Sequence, residues 1–158
     1  MDEELAVKYH SISFINGDAT KNTWLDYRLI PTSRPSVVPP SVKTTFVDVT
    51  GADGSLDLTS SLDSRVHYGM REGEWKFAVY HEAIDDYNWT TLCSQLLNDL
   101  HGKKFEVQLM DETTSNLYYF GRIYLDDLES DPAHSQITIK YVLEPYRYDS
   151  QEARASAT

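Results

Sequence analysis

The side chains of this chain that could do chemistry are few and scattered. Five histidines stand at His10, His67, His81, His101 and His134, and no His-x-x-x-His pair among them could grip zinc on one helix face. His101, beside Gly102, is explained as a cation or hydrogen-bond donor at a helix C-terminus. The single cysteine, Cys93, lies among Leu92, Leu96 and Leu97, the setting of a buried thiol and not of an activated nucleophile. Carboxylates gather twice. "DGSLD", from Asp53 to Asp57, has something of a calcium loop but lacks the alternating ligands and distal glutamate, so it reads as a turn. "DDLESDP" collects Asp126, Asp127, Glu129 and Asp131 and reads as a solvated acidic loop between two strands. No Gly-x-Ser-x-Gly elbow, P-loop or dinucleotide glycine pattern is present. The expectation is a protein without catalysis, metal or cofactor.

The elements that would carry these residues are mainly strands. "HSISFING" alternates His10, Ile12 and Phe14 with polar partners and ends in an Asn-Gly turn. "TWLDYRLIP" reads as a second extended run, closed by Pro31. "VKTTFVDV" is a β-branched strand and "GADG" a turn. In "EWKFAVYH", Trp75, Phe77 and Val79 share one face. "YNWTTLCSQLLNDLHG" is the one convincing helix, capped by Asn88 or Asp86 and followed by Gly102. Its apolar stripe of Trp89, Leu92, Cys93, Leu96, Leu97 and Leu100 must lie on a sheet. Three strands follow. Phe105, Val107 and Leu109 face inward in the first, and Ile137, Ile139, Tyr141 and Leu143 in the last. "LYYFGRIYL", apolar on both faces, is a central strand or one covered by a neighbouring subunit. The sum is a mainly β fold, a β-sandwich or partly open barrel, with one amphipathic α-helix packed on the sheet. Residues 1–148 form one domain and 149–158 a polar tail.

Composition narrows the function. Hydrophobic content of 41% and charged content of 25% suit a globular domain. A formal net charge of −11 argues against nucleic-acid binding, which needs clustered Lys and Arg. No apolar run reaches the roughly 20 residues that cross a bilayer, and the acidic start "MDEELAVKYH" does not have the form of a secretory signal. Eleven tyrosines and three tryptophans are suited to interfaces.

The stretch "LIPTSRPSVVPPSVKTTFVDVTGADGSLDLT" is too punctuated by proline for a helix, and "SRPSVVPPS" must be extended. With "YGMREGEWKF" and "LHGK" downstream, the run from about Asn22 to Tyr146 resembles the distal tail (Dit) proteins of phages and prophages of Gram-positive bacteria. The resemblance implies a virion structural protein of the tail tip or baseplate, made in the host cytoplasm. It further implies a homo-oligomeric ring, usually of six subunits, that joins the tail tube protein to the tip proteins. The implied domain is tail-tube-like and β-rich. Many members add a galectin-like second domain, for which this sequence holds no residues.

On that reading the proline-rich arm docks on a neighbouring subunit through Arg34, Pro35, Pro39, Pro40 and Val42, because a PPII segment loses little entropy on binding. The alternative is a rigid crossover on its own subunit. DNA passes through the channel without specific binding. A lumen lined by "DDLESD" or by Glu82, Asp85 and Asp86 would be acidic or neutral. The competing reading is a carbohydrate-binding β-sandwich module using Trp24, Trp75 or Trp89, although Trp75 and Trp89 fall on core faces.

Overall fold

A computed structural model of the chain describes residues 3–61, 63–80, 88–112, 117–130 and 135–149. The strands are β1 (Ile12–Asn16), β2 (Ala19–Asn22), β3 (Leu29–Pro31), β4 (Phe46–Asp48), β5 (Ser55–Asp57), β6 (Arg71–Val79), β7 (Lys104–Leu109), β8 (Tyr119–Ser130) and β9 (Ser135–Leu143). The helices are α1 (Glu3–Lys8) and α2 (Trp89–Leu100). Seven strands form one antiparallel sheet in the order β2-β1-β7-β8-β9-β6-β3, and β4 and β5 make a separate hairpin. β8, apolar on both faces in the sequence, is the middle strand.

This sheet curls strongly. Phe14 on β1 and Trp75 on β6 sit four strands apart, which in a flat sheet is roughly 19 Å. Their ring centroids are 6.3 Å apart. The two flanks therefore face each other across a common core, as in a sandwich. The edges β2 and β3 are joined by residues 23–28, where the Thr23 amide donates to the Ile12 carbonyl (3.0 Å) and the Leu29 amide to the Thr23 carbonyl (2.8 Å). No ladder runs from β2 to β3, so the barrel stays open.

Burial follows the alternation expected of each strand. Trp75, Phe77 and Val79 on β6, Phe105, Val107 and Leu109 on β7, and Ile137, Ile139, Tyr141 and Leu143 on β9 all enter one core. α2 begins where Asn88 Oδ1 accepts from the Thr91 amide (3.1 Å), and Gly102 follows it at φ +75°. It plugs the core through Leu92, Leu96 and Leu100, with Trp89 partly buried against the same cluster. The stripe is narrower than the sequence suggests, since Leu97 is 42% exposed and Cys93 only half-buried. Spacing of four residues keeps Leu92, Leu96 and Leu100 on one line, whereas Cys93 and Leu97 fall on its flank.

Three further expectations are corrected. Residues 23–27 are a turn, not an extended run, because Asn22 Oδ1 accepts from the amides of Trp24 (2.9 Å) and Leu25 (3.0 Å) and folds the chain back. The strand expected across Val42 to Val49 shortens to Phe46–Asp48, since β5 is the partner it has. Val42 makes only an isolated bridge to Tyr68. The acidic "DDLES" is strand, not loop: β8 continues past a register shift between Leu125 and Asp127 and pairs with β9 as far as Ser130↔Ser135.

Candidate assembly surface

The proline-rich segment leaves β3 at Pro31 and is held by its own subunit from the first residue. The Thr32 amide donates to the Lys76 carbonyl (2.9 Å). Arg34 Nε donates to Asp111 Oδ2 (3.2 Å), and His10 Nδ1 lies 2.7 Å from the other oxygen of the same carboxylate. The Asp111 side chain is 10% exposed but that of Arg34 is 74% exposed, so most of the guanidinium faces solvent. Pro35 is buried.

The next residues lie over β6 and β9. Trp75 Nε1 donates to the Ser36 carbonyl (3.0 Å), the Val38 amide donates to Tyr141 Oη (3.0 Å), and Val37 packs against the core. Trp75 and Tyr141 stack at 4.3 Å, and the Tyr141 ring fills space that only Gly73 can leave, since a Cβ there would overlap the phenol oxygen. Arg71 Nη1 donates to the Val38 carbonyl (3.0 Å), while Nε and Nη2 reach the Pro145 carbonyl. The Gly69 amide donates to Ser41 and that of Lys43 to His67. The segment is thus anchored along its own subunit from Thr32 to Lys43. Of the five residues expected at an interface, Arg34, Pro39 and Val42 are exposed, Pro40 is half-buried and Pro35 is tucked in.

Beyond Lys43 the chain leaves the sheet. Every residue of β4 and β5 is exposed, including Phe46 (59%), Leu56 (53%) and Val47 (42%). Val47 and Leu56 are paired directly and so share one face. The sequence shows the strand and the turn here, but apolar alternation normally signals burial, and nothing local reports that the hairpin has no sheet to cover it.

The residues considered for chemistry are occupied otherwise. Thr59, through its hydroxyl and its amide (2.9 Å), holds the Asp57 carboxyl below its ordinary range. The Arg65 amide (3.1 Å) and then His67 (2.8 Å) do the same for Asp63. His101 Nδ1 accepts from the Leu125 amide (3.0 Å), tying the helix end to β8 instead of donating to helix carbonyls. Burial pushes the Cys93 thiol up, away from the thiolate. Burial also raises the Tyr27 phenol, whose hydroxyl donates to Asp99 (2.7 Å). Among the described residues no group of three or more His, Cys, Asp or Glu could hold a metal ion. His81, Glu82, Asp85, Asp86, Asp131 and His134 lie outside the described residues, as does the polar tail beyond Asp149. Trp24 and Trp75 are 5% and 4% exposed, so neither offers the flat open ring of a sugar platform. No helix among the described residues is long and apolar enough to cross a membrane.

No protein-family model matches the chain, and no curated protein matches it. Its fold is similar to that of a solved phage protein. The likeness is to the Dit protein of phage SPP1, a paradigm of the hub adsorption apparatus in phages that infect Gram-positive bacteria. The TM-score is 0.55 at 17% identity, over 87% of this chain and 51% of that one. This chain spans about half the length of that structure, and at such identity the likeness is one of fold.

Proposed function

We propose that the protein is a structural component of a phage tail tip, without catalysis, that assembles as a ring between the tail tube and the tip complex. The fold likeness to a tail-hub protein over 87% of the chain carries this reading. The motifs of the proline-rich stretch, which point to the distal tail family without reference to any fold comparison, support it. On this reading the protein resides in the virion, six copies surround a channel, and DNA passes through without specific binding. The exposed guanidinium of Arg34, with Pro39 and Val42, faces the neighbouring subunit.

Size-exclusion chromatography with light scattering, followed by electron microscopy of the peak, tests the proposal. The expected particle is an annulus near six times 18.1 kDa. A chain that stays monomeric at every concentration, with no cross-linked ladder, would overturn the ring.

A further inference from the structure

We propose that the β4–β5 hairpin is an insertion arm, received by a second copy of this chain in the groove on the outer face of β7, β8 and β9. A two-stranded hairpin is marginal in water without a third strand or a packed face, and its unpaired edges invite association. This one stands away from the sheet with Phe46, Val47, Val49 and Leu56 all between 42% and 59% exposed. Natural proteins seldom leave such an apolar tongue uncovered. It is also uniformly acidic: residues 44–64 contain Asp48, Asp53, Asp57 and Asp63 and no Lys, Arg or His.

The groove is its chemical complement. A depression of about 270 Å³ is lined by Met70, Phe120, Tyr124 and Val142, with Lys104 and Arg122 among them. Phe120, Arg122 and Tyr124 alternate with the buried Gly121, Ile123 and Leu125, which places them on the outside of the curled sheet. The Lys104 ammonium lies 5.9 Å from the Phe120 ring centre, and Arg122 Nη1 is fixed on the Gly102 carbonyl (2.7 Å). Glu144, which also borders the groove, is engaged by the Tyr148 hydroxyl (2.9 Å). In a chain with 25 acidic and 14 basic residues, an apolar groove carrying two cations is a selective receptor for an acidic apolar segment.

Within one copy the hairpin does not fill the groove, because its apolar side chains remain exposed. Tongue and groove are different surfaces, so the contact is heterologous: each copy gives one arm and receives one. Repetition closes into a ring when the rotation allows, and for that closure the inference rests on the ring reading above.

The test uses two variants of the full chain, one defective in the tongue (Val47→Glu with Leu56→Glu) and one in the groove (Lys104→Glu with Tyr124→Glu). Both should keep the parental melting transition, and each alone should self-associate at least about tenfold more weakly. Mixed one to one, they should form a heterodimer of twice 18.1 kDa and nothing larger, since only one intact tongue meets one intact groove. If the groove variant loses its melting transition, the exposed Lys104→Glu alone takes its place. A parent chain that assembles while the tongue variant assembles equally well, or a mixture that stays monomeric, overturns this inference and leaves the ring intact. A parent chain that is itself monomeric overturns both.

Discussion

Leu96 is the test of how α2 holds the fold. It has no exposed surface and stands between Leu92 and Leu100 on the buried line of the helix, in the same core cluster as strands from both flanks of the sheet. Leu96→Ala removes three buried carbons and leaves a cavity that the surrounding strands, tied by their ladders, cannot close. Such substitutions cost about 2–5 kcal/mol, and a site this enclosed belongs at roughly 3–4 kcal/mol. For a chain of this size each kcal/mol lowers the melting temperature by about 2–4 °C, so the expected fall is roughly 6–16 °C. Urea denaturation should give the same loss with an unchanged slope. Leu97→Ala is the internal control. Leu97 is 42% exposed, and leucine and alanine differ little in helix propensity, so its cost should stay below about 1 kcal/mol. An unchanged melting temperature for Leu96→Ala, or equal losses at the two positions, would show that the wrong face of the helix has been assigned to the core.

Three other outcomes follow from the packing and the proposed assembly. A Cβ at Gly121 would overlap the Val142 carbonyl oxygen and stand 2.7 Å from Leu143 Cα, so Gly121→Ala should cost about 3 kcal/mol or prevent folding, as read by the melting transition. Tyr141→Phe leaves the Val38 amide without its acceptor, and should cost about 1–3 kcal/mol while making residues 36–38 a faster target in limited proteolysis. Arg34→Glu breaks an exposed pair with Asp111, so the monomer should lose no more than about 1 kcal/mol while self-association falls clearly in light scattering. Unaltered assembly would remove Arg34 from the interface.

Where packing is decided by local pattern, the chain is readable. Alternation placed Trp75, Phe77 and Val79, and likewise Ile137, Ile139, Tyr141 and Leu143, on the buried faces they occupy, and Asn88 and Gly102 bracket α2 as caps should. The failures have two causes. One is local turn chemistry: the Asn22 side chain accepts from amides two and three residues on and turns residues 23–27 against their apolar pattern. The other is a partner elsewhere in the chain, since pairing with β9 makes strand of the acidic run after Leu125. The exposure of Phe46 and Leu56 is invisible locally, because the same letters would serve a buried strand. At the arm, extended structure is legible from the prolines. Its anchoring by Trp75, Tyr141 and Arg71 is not, since those residues lie far along the chain.

The strand order has a consequence for how the protein is made. β1 pairs with β7, β3 with β6, and the strand ladders link the two groups through β9, which lies between β8 and β6. On the ribosome β1 therefore waits, unpaired on its inner side, until after α2 has been synthesised. A chain halted before Ser135 would hold two pieces of sheet, β2-β1-β7-β8 and β6-β3, with no ladder between them. Pairing this distant in sequence makes folding slow and late. A nascent or truncated copy thus has neither the β8–β9 pairing behind the groove nor a completed sheet from which to extend its hairpin, and under the proposed assembly only finished chains would be competent to join one another.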